Sequence, residues 1–236
     1  MLPDSTIWHL SHSAEAMKID GCFFVFDYFL PPRSPAKRLS QGFIDPHEIK
    51  NERVFVLVSH HHPDHFHASV FEWKNVISDI QFVVSSDVQQ VPAFVTKIKP
   101  AESLTTTNFV VKTYPSADEG VAFSIFLGKR HIYFSGDHAF WNWSGNPDSL
   151  YFDRILSRMD ISKPVDIAFH VCDARLAGLG YGGIKQFAKK VRPKVLVPIH
   201  CNGDYSINKK VEKELKDMGF EGRFLCIQKD GEIFTV

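Results

Sequence analysis

Val54-Phe55-Val56-Leu57-Val58-Ser59-His60-His61-His62-Pro63-Asp64-His65-Phe66-His67 runs from a β-branched apolar stretch straight into four candidate metal ligands, His60, His62, Asp64 and His65. The apolar part reads as a buried strand. The His-rich part then falls on the loop where that strand ends, where side chains can converge on one point. Imidazole nitrogen and carboxylate oxygen suit Zn²⁺ and, less selectively, Mn or Fe. A purification tag would sit at a terminus and would not set Pro63 and Asp64 at fixed places behind a core strand. His61 and His67 flank these candidates and are expected to be exposed or to support the ligands from behind.

Outward from this stretch, strand-like runs recur at residues 6–10, 22–26, 81–84, 109–113, 121–127, 131–134, 166–170, 195–199 and 223–227. Helical spacing of apolar residues appears at Phe152, Ile155, Leu156 and Met159, at Ile184, Phe187, Ala188 and Val191, and at Ile207, Val211, Leu215 and Met218. The last helix should be capped by Ser206 and stopped by Gly219. Further helical starts are expected at 68–73 and at 87–90. A strand-rich first half followed by alternating helix and strand fits two sheets with helices outside, in a single domain spanning 1–236. Pro31-Pro32-Arg33-Ser34-Pro35 reads as a loop near the site edge.

The chain has 236 residues and is 44% hydrophobic, enough for one substantial core. Lys+Arg and Asp+Glu balance at 27 each, which gives no reason to expect nucleic acid as a partner. No apolar run approaches the roughly 20 residues of a membrane helix, and Met1-Leu2-Pro3-Asp4-Ser5 lacks the features of a secretory signal. A cytoplasmic protein acting on a small molecule, with no membrane partner, is therefore expected. Cys22, Cys172, Cys201 and Cys226 show no C-x-x-C spacing and read as reduced core thiols. Cys201 follows a candidate ligand, His200, and neighbours on a strand point to opposite faces, so it ligates the same ion only if the strand has already ended.

His60-x-His62-x-Asp64-His65 after an apolar strand resembles the signature of the metallo-β-lactamase superfamily. Ile132-Tyr133-Phe134-Ser135-Gly136-Asp137 is similar to the strand and Gly-Asp that supply that family's bridging carboxylate. Val195-Leu196-Val197-Pro198-Ile199-His200 is similar to the strand that delivers its last His. The opening Ile7-Trp8-His9-Leu10-Ser11-His12-Ser13, with Cys22-Phe23-Phe24-Val25-Phe26-Asp27, resembles the branch that contains L-ascorbate-6-phosphate lactonase-like proteins. The resemblance implies an αββα sandwich of two mixed β-sheets flanked by helices. It also implies two metal ions, zinc by preference with Mn or Fe as alternatives. His60 and His62 would hold the first ion, Asp64, His65 and His200 the second, and Asp137 would bridge them.

The family's third His for the first ion has no counterpart here. Tyr114-Pro115-Ser116-Ala117-Asp118-Glu119-Gly120 stands in its place, so the first site should be the weaker one unless Asp118 or Glu119 supplies an oxygen. His138 and Asp173 are other substitutes to consider, each more naturally a supporting residue. Trp141 and Trp143 are expected to wall the pocket, with the glycine-rich segment 176–183 as a rim. Gly180-x-Gly182-Gly183 before a helix could bind phosphate through backbone N–H groups. The chemistry implied is hydrolysis of a small ester, lactone, thioester, amide or phosphoester by a metal-activated hydroxide, with Asp64 and Asp137 as the catalytic carboxylates. An iron-containing oxidoreductase of the same fold is the main rival. A non-catalytic metal or ligand sensor is the other, and six costly polar groups gathered at a dead site argue against it.

Overall fold

The structure, a computed structural model, describes residues 2–32, 38–141, 148–159 and 163–236, and at 148–151 the backbone only. Contacts divide the chain into two compact units, residues 1–97 with 229–236, and residues 98–228. Each unit is built on a mixed seven-stranded sheet.

In the first sheet, β1 (Thr6–Ser11), β2 (Ala14–Ile19), β3 (Cys22–Phe26), β4 (Arg53–Val58), β5 (Ile80–Ser85), β6 (Thr96–Ile98) and the C-terminal β14 (Ile233–Thr235) lie in the order β14-β1-β2-β3-β4-β5-β6. The pairs β14/β1, β1/β2 and β2/β3 are antiparallel, whereas β3/β4 and β4/β5 are parallel. Every residue from Val54 to Val58 is buried, as a strand covered on both faces requires. Val54, Val56 and Val58 join a core with Phe23, Val25, Phe82 and the 3₁₀ helix Ala68–Asn75, which contributes Val70, Phe71 and Trp73.

The second unit has β7 (Ser103–Thr105), β8 (Val110–Pro115), β9 (Val121–Leu127), β10 (Arg130–Phe134), β11 (Ile167–Val171), β12 (Val195–Ile199) and β13 (Arg223–Phe224) in the order β13-β12-β11-β10-β9-β8-β7. From β10 to β13 the strands are parallel, and the helices α1 (Asp148–Arg158), α2 (Gly180–Val191) and α3 (Ile207–Asp217) make the crossovers that parallel pairing demands. Their apolar stripes, Phe152 and Leu156, Ile184 and Phe187, Val211 and Leu215, share one core with Tyr133, Ala168 and Leu196. Full burial of each such side chain stabilises by about 1.5–3 kcal/mol.

The expected two mixed sheets with helices are present, and three local readings are corrected. Ser206 makes no side-chain cap; Asp204 Oδ1 instead accepts from Ser206 N and Oγ, and the helix does stop at Gly219, with φ +79°. Residues 87–90 form a turn and no helix, with Val88 N donating to Ser85 O. Strand β2 was not expected, because Glu15 and Lys18 interrupt its apolar character; both are buried and partnered, by His9 and Glu52. Among the described residues no helix is long and apolar enough to cross a membrane.

Candidate metal centre

In both units the candidate donors sit where parallel strands end. Phe26 on β3 lies opposite Leu57 on β4, so Asp27, one residue on, and Ser59, two residues on, emerge side by side. Asp27, in the left-handed region at φ +45°, donates its N–H to Leu57 O. Its fully buried carboxylate accepts from Ser59 N at 2.7 Å, from Ser59 Oγ at 2.5 Å and from His65 Nδ1 at 2.7 Å. Ser59 Oγ, having given its proton to Asp27, accepts from His60 Nδ1 at 2.9 Å. This network assigns the ring protons of His60 and His65 to Nδ1, which leaves Nε2 in each as the nitrogen with the lone pair. Burial pushes the Asp27 carboxyl up, against the opposing pull of His65 and Ser59.

The loop after β4 is a tight turn, with His65 N and Phe66 N both donating to His62 O, and His67 N donating to Tyr28 O. It brings His62 Nδ1 to 3.0 Å from His60 Nε2. One donor atom each from His12, Asp64 and His65 lie within 4.8 Å of one another, and His12 Nε2 is 3.3 Å from Asp64 Oδ2. His61 is exposed and donates its N and Nδ1 to Asp87 Oδ2, while His67 accepts from Ser69 N and starts the 3₁₀ helix.

In the second unit, β10 ends in the Ser135-Gly136 turn, with Gly136 at φ +50° and Ser135 N bound to Phe169 O, which sets out Asp137. Val171 on β11 pairs with Ile199 on β12, so Asp173 and His200 emerge together. His200 is left-handed at φ +63°, and its Nδ1 donates to Asp173 Oδ2 at 3.0 Å. Its Nε2 then faces Asp137 Oδ1 at 3.6 Å. Burial would raise the Asp173 carboxyl, but hydrogen bonds from His200 and Arg175 outweigh it and hold the group well below the usual carboxylate range. Arg175 grips it through Nε and Nη2.

Asp118 brings one carboxylate oxygen within 4.8 Å of Asp137, so the acidic turn standing where a third His was expected does reach the Gly-Asp carboxylate. Asp173 is the orienting partner of His200. His138 is fully buried against Phe152, and burial, then the nearby His170, push its imidazole down to about 3. Trp141 is buried: its Nε1 donates to Asp137 O at 2.7 Å and its ring meets His200 edge-on at 5.3 Å. Trp143 and residues 33–35 of the Pro-rich loop lie outside the described residues.

The phosphate reading of Gly180-x-Gly182-Gly183 is also corrected. Residues 180–183 are all left-handed, with φ from +60° to +89°, and the carbonyls of Tyr181 and Gly182 accept from Asp173 N and Phe140 N. A Cβ at Gly183 would meet the Phe152 ring at 2.7 Å, so this is a packing turn beneath the Asp137 and Asp173 loops. Sequence reasoning gave no role to Asp27, Ser59, His12 or Arg175. A signal for Asp27 existed, since an acid directly after an apolar strand repeats the placement of the His cluster after β4.

His60, His65 and His200 thus share one device. Each has its Nδ1 proton committed to a carboxylate, directly or through Ser59, which is the support that metal-bound imidazole needs. With Asp64, Asp137 and His62 the donors are nitrogen and oxygen only, a set that suits Zn, Mn or Fe.

No protein-family model matches the sequence, and no curated protein matches it. Solved structures do. Igni18, a metallo hydrolase from Ignicoccus hospitalis KIN4/I, superposes with a TM-score of 0.66 at 16% identity over 97% of each chain. The metallo-β-lactamase fold protein YhfI from Bacillus subtilis gives 0.63 at 15% identity, over 97% of this chain and 98% of that one. CmlA, a diiron β-hydroxylase from Streptomyces venezuelae, gives 0.59 at 15% identity over 95% of this chain and 53% of that one. The chain has the metallo-β-lactamase fold. Likeness at this level does not single out the L-ascorbate-6-phosphate lactonase-like branch.

Proposed function

We propose that the protein is a metal-dependent hydrolase of a small ester, lactone, thioester, amide or phosphoester. The observation that carries this is the locked tautomer of three imidazoles by Asp27, Ser59 and Asp173, which puts the lone pair of each ring on Nε2. In this reading His60 and His62 hold one ion, Asp64, His65 and His200 hold the other, and Asp137 serves both. Asp118 supplies the oxygen that replaces the missing His. Bound metal supplies Lewis acidity, lowering the pKa of a water and polarising the carbonyl or phosphoryl oxygen under attack.

The chain's own residues do the positioning. Asp27 and Ser59 fix two rings from one buried carboxylate, Asp173 fixes a third, and Trp141 holds the backbone of Asp137. Asp64, whose side chain is 47% exposed, is open to solvent and able to orient a water. Elemental analysis of protein purified without chelator, followed by a lactone, thioester and phosphoester panel, tests the proposal. Metal near two ions per chain and hydrolysis lost in Asp137→Asn are expected; a panel rate equal to wild type in that variant overturns it.

A second reading, an iron-containing oxidoreductase, is favoured by the Asp118 carboxylate in place of imidazole, since harder ligands suit iron and manganese, and by the likeness to a diiron β-hydroxylase. Iron as the dominant metal, with oxygen consumed on reduction, would establish it over the hydrolase.

A further inference from the structure

We infer that His12 is an additional ligand of the ion assigned to Asp64 and His65, contributed by the β1–β2 hairpin; this rests on the metal reading above. The first argument is distance. Histidine–carboxylate hydrogen bonds in this protein are 2.5 Å for His9–Glu15, 2.7 Å for His65–Asp27 and 3.0 Å for His200–Asp173, whereas His12 Nε2 stands 3.3 Å from Asp64 Oδ2. That is long for a charge-assisted bond. It matches the separation of about 3.3 Å between two donors bound to one tetrahedral ion at 2.0–2.1 Å each.

The second argument is convergence: His12, Asp64 and His65 each bring a donor atom within 4.8 Å of the other two, and the His12 and His65 rings lie 6.1 Å apart, nearly perpendicular. The third is placement: His12, at φ +50°, forms with Ser13 the two-residue turn of the hairpin, yet it is almost fully buried and turned toward Asp64, where a turn residue ordinarily faces solvent.

If His12 ligates, the first unit alone offers three protein donors to this ion and only two to the ion of His60 and His62. The two ions should therefore differ in affinity, with the Asp64 ion the tighter.

Co²⁺ titration followed by visible absorption, with a competing chelator, tests this on the full chain and on His12→Asn and His12→Gly. Both substitutes accept a left-handed backbone, so the hairpin survives and metal-free melting temperatures should stay within a few degrees of wild type. The tighter Co²⁺ step should weaken by at least about 100-fold, more than the 10- to 100-fold typical of losing an outer partner, and its absorption band should change in position and intensity. Wild-type affinity and spectrum in both variants would overturn the assignment. So would weakened binding matched by a large fall in metal-free melting temperature in both variants, which would make His12 a structural residue. A wild-type chain that takes up no Co²⁺ would instead overturn the metal centre itself.

Discussion

The two units orient their imidazoles with the same group in opposite electrostatic settings. Asp27 in the first unit is fully buried and accepts three hydrogen bonds, none of them, among the described residues, from an arginine or lysine; burial wins and its carboxyl is raised. Asp173 in the second unit is gripped by Arg175 as well as His200, and its carboxyl is lowered. A buried anchor without a counter-cation depends on every partner it has, while one with an arginine is electrically secured. Asp27 also serves two rings and Asp173 one. The first unit should therefore be the more fragile to mutation and the second the more sensitive to conditions.

The largest effect expected is from Asp27→Asn. It leaves Ser59 N, Ser59 Oγ and His65 Nδ1 competing for one neutral acceptor in a buried place, which costs about 3–5 kcal/mol. Melting temperature should fall sharply and both metal-binding steps should weaken; a metal-binding defect confined to one step would break the idea of a shared anchor.

Acid should reverse the ranking. Burial pushes His138 and His170 in the second unit down to about 3 and about 4. The unfolded chain then binds protons between pH 6.5 and 4 that the folded unit does not, so stability is complete above pH 6.5 and is lost as pH falls toward 4, at up to about 1.4 kcal/mol per pH unit for each ring. Asp27 and Glu15 in the first unit are raised, chiefly by burial. Raised carboxyls contribute the other way, favouring the folded state as pH falls toward their folded pKa. Hydrogen exchange between pH 6.5 and 4 should therefore quicken in β10, β11 and β12 before β3 and β4, and simultaneous quickening would remove the contrast.

Asp173→Asn is expected to weaken one metal step by about 10- to 100-fold and leave the other within a few-fold. Isothermal titration would resolve the two, and equal weakening would show that Asp173 acts beyond His200. The smallest effect belongs to Arg175→Gln. Its side chain is 46% exposed, so solvent screens the pair and the stability change should stay within about 1 kcal/mol. A loss as large as that of Asp173→Asn would mean that Arg175 has work outside this pair.

The candidate ligand residues could be read from sequence because four of them fall within six positions and the other two sit at the ends of unmistakably apolar strands. What orients them could not, because Asp27 and Ser59 are 32 residues apart and meet only through parallel pairing of β3 and β4. Hydrophobic patterning found the central strands and missed β2, where buried Glu15 and Lys18 look like surface residues until their partners are known. It also missed the three-residue strands β6, β7 and β14, too short to show a period. Gly180, Gly182 and Gly183 misled for a related reason: glycine marks unusual backbone, and only the structure distinguishes a ligand cradle from a turn pressed against Phe152.

The double duty of Asp27 carries a consequence for how metal is loaded. An ion that immobilises His65 also immobilises Asp27, and through Ser59 it pre-sets His60 on the neighbouring ion's side. The ordering entropy of the second uptake is then partly met by the first, and linkage makes the benefit mutual. Filling of the tighter site should therefore raise the affinity of the weaker one, and stripping the tighter ion should loosen its neighbour by the same factor.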